Sequence, residues 1–130
     1  MILDTSFLID LMENDEAALM RKQKMIENRE DYRVAAPTIF ELWSGLFASS
    51  KHEKEKAKVL IALAEINTIP LSRKSAEKAG EIHGSLIKKG QQIDAVDSMI
   101  ASAALLENEP LLTRNAKHFT RVAGLKVEVY

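Results

Sequence analysis

The chain holds 130 residues, 46% of them hydrophobic and 28% charged, with 19 acidic against 18 basic side chains and no cysteine. That composition fits a single globular domain over 1–130 and excludes disordered and low-complexity classes, a disulfide scaffold, a thiolate zinc site and a cysteine nucleophile. A net charge of −1 argues against gripping nucleic acid by bulk charge, so any such contact has to be local or metal-assisted.

Short apolar runs alternate with longer helical patterns. Met1 to Leu3 is a strand candidate, followed by Phe7, Leu8, Leu11 and Met12 at helical spacing. Asp15 to Arg29 is a charged helix with Ala18, Leu19 and Ile26 in its apolar stripe. Arg33 to Ala36 reads as a strand stopped by Pro37. Thr38 to Ser49 is helical, with Ile39, Leu42, Trp43, Leu46 and Phe47 on one face predicted to be mostly core. Glu53 to Glu65 is a further helix, Thr68 to Leu71 a strand, and Ser75 to Lys89 a helix ended by Gly90. Asp94 to Asn108 is Ala-rich and nearly all apolar, which predicts deep burial. Pro110 to Thr113 is a strand, Asn115 to Phe119 a short helix, and Val127 to Tyr130 a last edge strand. This alternation predicts an α/β fold with a mostly parallel sheet flanked by helices.

The amino terminus lacks the basic region of a signal peptide, and no apolar run approaches the roughly 20 residues of a membrane span. No dinucleotide, P-loop, zincin or serine-hydrolase motif is present. His52, His83 and His118 are scattered without ligand spacing and read as surface or helix filler.

Ligand sites in parallel sheets form where strands end and helices begin, and several polar groups fall at such junctions. Asp4 follows the first strand, Glu41 lies early in the helix after the second, Asp94 and Asp97 open the apolar helix, and Asn115 follows the strand ending at Thr113. Helix capping competes as an explanation for each. Thr38 to Glu41 and Asp94 to Asp97 both have capping-box spacing, and Asp4 and Asn115 could cap their own helices. Asp97 sits among Ala95, Val96, Met99 and Ile100, where an unpaired carboxylate is costly and a cation would offset the cost. Converging carboxylates without Cys or His favour Mg²⁺ or Mn²⁺, and such an ion suits phosphoester chemistry.

At these residues the sequence resembles the PIN-domain family, and within it the VapC-type toxins of toxin–antitoxin pairs. Ile2 to Ile9 looks like the family's opening strand and first acid, Glu41 to Leu46 its second-acid helix, Gly90 to Ala101 the segment carrying the third acid at Asp97, and Leu111 to Phe119 its fourth-position strand and turn. The resemblance spans nearly the whole chain, in order. It implies a PIN-like three-layer fold around a four- to five-stranded sheet. It also implies a metal-dependent endoribonuclease that uses a metal-activated water. Asp4 and Asp97 would be the main metal ligands, Glu41 a further one, and Ser6 and Thr113 hydroxyl supports. Asn115, where many members carry Asp, adds a neutral carbonyl but no charge. Asp94 is an additional acid for which N-capping is the simpler role.

The resemblance further implies an RNA substrate, a VapB-like protein antitoxin, a homodimer, DNA contact only through the antitoxin, and a cytoplasmic location. Charge is unevenly spread: Met1 to Asp31 holds eight acids against four bases, whereas Pro110 to Lys126 holds Arg114, Lys117, Arg121 and Lys126 and no acid. Arg114 and Lys117 flank Asn115, so phosphate could meet positive charge there, although a solvated helix end explains them equally. Two other readings remain open: a degenerate, non-catalytic PIN-like binding module, which Asn115 keeps alive, and a receiver-like phosphoacceptor, which lacks a mid-chain strand ending in Asp.

Overall fold

A computed structural model describes all residues, 1–130. Five short strands, β1 (Ile2–Leu3), β2 (Arg33–Ala35), β3 (Asn67–Ile69), β4 (Leu111–Leu112) and β5 (Val127–Glu128), form one sheet in the order β3-β2-β1-β4-β5, with every pairing parallel. Seven helices cover it: α1 (Thr5–Met12), α2 (Glu16–Glu27), α3 (Ala36–Ala48), α4 (His52–Leu63), α5 (Arg73–Lys88), α6 (Ala95–Leu106) and α7 (Ala116–Phe119).

Alternation along the strands sends neighbouring side chains to opposite faces. Ile2 and Leu111 join a core with Ile82, Leu86, Ile100, Ala104 and Phe119, from α5, α6 and α7. Leu3, Val34 and Leu112 join Phe7, Leu8, Met25, Leu42 and Val59, from α1 to α4. The result is the expected three-layer α/β/α arrangement, and all strands are parallel rather than most of them.

Element borders depart from the sequence reading in ways that matter later. Helix α3 starts at Ala36, so Pro37 lies in its first turn instead of ending a strand. Proline is tolerated there because the first-turn N–H groups have no partner inside the helix. Strand β3 ends at Ile69, before Pro70, and β5 stops at Glu128. On α3, Leu42 and Leu46 are core as predicted, Trp43 is half-buried, and Phe47 is 65% exposed. Gly90, at φ +67°, closes α5 in the left-handed conformation that the sequence suggested.

Phe7 is fully buried in the second core, edge-on to the Tyr130 ring with centroids 4.8 Å apart. Truncation at such a site removes transfer free energy and leaves a cavity, so Phe7→Ala should cost roughly 3–5 kcal/mol in urea denaturation.

Candidate functional site

Parallel register brings distant residues together at the carboxyl edge of the sheet. Leu3 pairs with Leu112, so the next residues along, Asp4 and Thr113, stand side by side. The Asp4 N–H donates to the Leu112 carbonyl at 3.0 Å. The Asp4 carboxylate is buried, and its Oδ2 accepts from Thr113 Oγ1 at 2.7 Å, Ser6 Oγ at 2.7 Å and the Ser6 N–H at 3.4 Å. The last contact makes Asp4 the N-cap of α1. All three bonds fall on Oδ2, which leaves Oδ1 without a donor. Ser6 Oγ also accepts from the Arg114 N–H at 3.1 Å, and Thr113 Oγ1 from the Asn115 N–H at 2.9 Å. The β4–α7 turn is thereby fastened to α1.

Glu41 and Asp97 come from α3 and α6 toward the same edge. Burial, opposed by a 2.6 Å hydrogen bond from Thr5 Oγ1, pushes the Glu41 carboxyl above its ordinary range, and the charges of Asp97, Asp4 and Asp94 add to the rise. Asp97 is raised in the same way, by burial and then by Asp4 and Asp94, while His118 opposes the rise. The His118 Nδ1 lies 3.5 Å from Asp97 Oδ2. Four acids from three parts of the chain therefore act on one another, although no three His, Asp or Glu side chains converge closely enough to form a ready-made metal cage.

The capping explanations fare unevenly. The Thr38–Glu41 box does not form: Ala35 is the N-cap of α3, and the Thr38 hydroxyl is sealed in the first turn without a partner. Glu41 instead turns to Thr5. Asp94 occupies the N-cap position of α6 with an extended backbone, but its side chain makes no capping bond and Asp97 does not reach back to it. Asn115 likewise precedes α7 without a side-chain cap. N-capping thus accounts for Asp4 in part and for none of the other three.

Sequence reasoning missed four contributors. Thr5 supports Glu41. His118, taken as filler, faces Asp97; its position three residues after Asn115, on one helical face, was the available signal. Asp10 is buried and pairs with Arg114, and the Tyr130 hydroxyl donates to its Oδ2 at 2.6 Å. An acid inside the apolar run Phe7 to Met12 was the clue to a hidden partner. Burial and the bond to Asp10 push the Tyr130 phenol far upward, so it stays a donor at physiological pH.

A family profile for the PIN domain matches residues 1–125. The chain belongs to the PIN-domain family. Among curated PIN-domain relatives, it is 28% identical over 127 residues to Ribonuclease VapC2 of Rickettsia felis, covering 98% of this chain and 95% of that protein. It is 26% identical over 127 residues to the tRNA(fMet)-specific endonuclease VapC of Shigella flexneri, with the same coverage of 98% and 95%. Solved structures agree. The VapBC2 complex of Rickettsia felis, bound to a DNA fragment from its promoter, contains a chain that superposes with a TM-score of 0.89 at 28% identity, covering 99% of this chain and 97% of that one. DNA-bound VapBC of Salmonella typhimurium gives 0.87 at 25% identity, covering 98% and 96%.

The raised carboxyls carry a signed consequence for stability. A folded-state pKa above the unfolded value means that the ionised form costs stability; the cost is full above the folded pKa and is relieved as pH falls through it. Asp97→Asn should therefore raise the Tm of the ion-free protein at neutral pH by about 2–5 °C. The gain should shrink as pH drops toward the ordinary carboxylate range, as followed by thermal unfolding across pH.

Proposed function

We propose that this PIN-domain chain is a divalent-metal-dependent endoribonuclease and the toxin of a VapBC-type pair. The observation that carries the reading is the gathering of Asp4, Glu41, Asp94 and Asp97 at one sheet edge, where burial first and neighbouring carboxylate charge second push Glu41 and Asp97 upward. Such acids are destabilising by themselves and fit a site evolved for a cation and a phosphate. The donor set is suitable: oxygens only, an undonated Oδ1 on Asp4, and no thiol anywhere in the chain. Asp4, Glu41 and Asp97 would hold Mg²⁺ or Mn²⁺, with Asp94 in reserve. The ion would polarise a phosphoryl oxygen and acidify an attacking water.

The protein's own groups do the rest. Ser6 and Thr113 fix the Asp4 carboxylate in one rotamer, and Thr5 fixes Glu41. His118 stands beside Asp97, its Nδ1 3.5 Å from Oδ2. Asn115, whose N–H donates to Thr113 Oγ1, would offer a neutral carbonyl oxygen to a water or a ribose hydroxyl. Purified protein should cleave single-stranded RNA with Mn²⁺ and stop with EDTA. Asp4→Asn and Asp97→Asn should each lower kcat by at least about a hundredfold, the scale of losing one group that stabilises the transition state. Cleavage at the parental rate in either variant sinks the reading. Absence of both cleavage and calorimetric Mn²⁺ binding would favour the degenerate binding module instead.

Pairing with a VapB-like antitoxin is supported by the relatives' complexes and by the surface. A groove of about 200 Å³ between α1, α3 and α4 is lined by Ile9, Met12, Leu42, Leu46 and Val59, and Glu13, Glu41 and Glu55 stand on its walls. An apolar helix with basic residues at its edges is complementary to it. DNA would be reached only through that partner, and we expect a cytoplasmic homodimer. No helix is long and apolar enough to cross a membrane. Ile9, 37% exposed, is the least protected apolar residue of this lining. Ile9→Asp should weaken binding of a VapB-like antitoxin by about tenfold or more in calorimetry.

A further inference from the structure

Arg114 is half outside the protein and half committed to it. Its Nη1 pairs with Asp10, whose side chain is 5% exposed, yet the Arg114 side chain itself is 58% exposed. Asp10 is held in turn by the Tyr130 hydroxyl at 2.6 Å, and the Tyr130 ring packs edge-on against Phe7. The Arg114 backbone is pinned separately, its N–H donating to Ser6 Oγ at 3.1 Å. One residue is thus fixed at both ends, directly after Thr113 and directly before Asn115. A surface arginine is seldom so restrained.

A guanidinium carries five N–H donors in a planar fork. Asp10 is the only acceptor the guanidinium has within the protein, and the side chain is 58% exposed, so donors remain for a ligand. The residue lies in the stretch Pro110 to Lys126, which holds no acid. Arg114 directly follows Thr113, whose hydroxyl donates to Asp4, yet its guanidinium pairs with Asp10 and not with Asp4, Glu41 or Asp97. The guanidinium therefore stands beside the acidic centre rather than in it. A cation held ready in this way loses little side-chain freedom on binding an anion.

We propose that Arg114, oriented by Asp10 and Tyr130, is a binding residue for an RNA phosphate flanking the scissile position. The ligand class follows from the ribonuclease reading, on which this proposal rests. Asp10 and Tyr130 are positioning residues: neither touches RNA, and both act by aiming the fork. Lysine at position 114 could keep the pair with Asp10 but could not bridge carboxylate and phosphate together.

The test separates binding from cleavage. A fluorescein-labelled single-stranded RNA is titrated in EDTA by anisotropy over a salt series, and cleavage of the same RNA is followed with Mn²⁺. Arg114→Lys and Asp10→Asn should each raise Kd and KM about tenfold while kcat changes far less, the effect of losing one charge-assisted contact. Arg114→Gln should reduce the slope of log K against log salt by about 0.7, the value for one phosphate on a single strand. Tyr130→Phe, which removes only the hydroxyl, should shift KM about two- to threefold in the same direction. Unaltered Kd, KM and salt slope in Arg114→Lys and Arg114→Gln would overturn the proposal and leave a neutralising ion pair for Asp10. A parent protein that fails to bind RNA in EDTA would overturn it as well. Binding through Arg114 without cleavage by the parent would uphold Arg114 as an RNA-phosphate contact but sink the ribonuclease reading, and with it the placement beside a scissile position. Arg114 is exposed, so its two variants keep the test open should Asp10→Asn fail to fold.

Discussion

The hydrogen bond from Thr113 to Asp4 ties together residues 109 positions apart, and the rest of the site is arranged around it. It exists because β1 and β4 pair in parallel with Leu3 opposite Leu112. A slip of one residue would turn Leu3 and Leu112 out of their core and strand the Asp4 carboxylate without donors. Hydrogen bonds to a buried charge are each worth about 1.5–3 kcal/mol, and an unpaired one costs more. Register and carboxylate therefore stabilise each other. Strands of two or three residues contribute little ladder energy of their own, so this polar stitch and the two flanking cores have to set the pairing.

The acids at this edge divide into two kinds. Asp4 is supplied with donors from Ser6 and Thr113 and works as a structural anchor as well as a candidate ligand. Glu41 and Asp97 are half-buried, receive less help and repel one another and Asp4. Nothing in the packing requires an acid at either place: Leu42 and Ile100 carry the cores around them. Residues that cost stability without serving the fold are where function is expected, since selection keeps such a cost only for a return elsewhere. The same contrast separates Arg114, whose position is fixed by the protein, from the exposed Lys54 of α4.

The order of strands and helices was legible because the apolar periodicity changes cleanly from strand runs to helical stripes. Asp4, Glu41, Asp97 and Asn115 were legible as junction residues for the same reason. Their surroundings were not. The Thr38–Glu41 spacing suggested a capping box, but Pro37 is accepted inside the first turn, the helix begins two residues earlier, and Thr38 becomes a core residue. The helix spacing around Trp43, Leu46 and Phe47 marks an apolar face, yet cannot tell that α4 covers only part of it and leaves Phe47 in contact with His52 and solvent. His118 and Asp97 are far apart in the chain, and only the packing of α7 near the start of α6 makes them neighbours. Pair contacts of this kind depend on tertiary placement and leave no local pattern.

Near-neutral charge is a weak guide to what such a chain can bind, because the distribution decides the field. Here the acids that matter face inward at the sheet edge, while the basic stretch after Pro110 folds back over α1 through Arg114. A polyanion approaching this surface meets a cation with an anchored geometry beside carboxylates that are short of positive charge. Bulk attraction would bring the polyanion to any part of a basic surface, without regard to orientation. A fixed guanidinium on one side and carboxylates short of positive charge on the other would constrain where such a backbone lies, the kind of placement on which hydrolytic catalysis depends. The small, balanced composition is therefore compatible with specificity by placement, in which Asp4, Glu41 and Arg114 are each held by a buried partner.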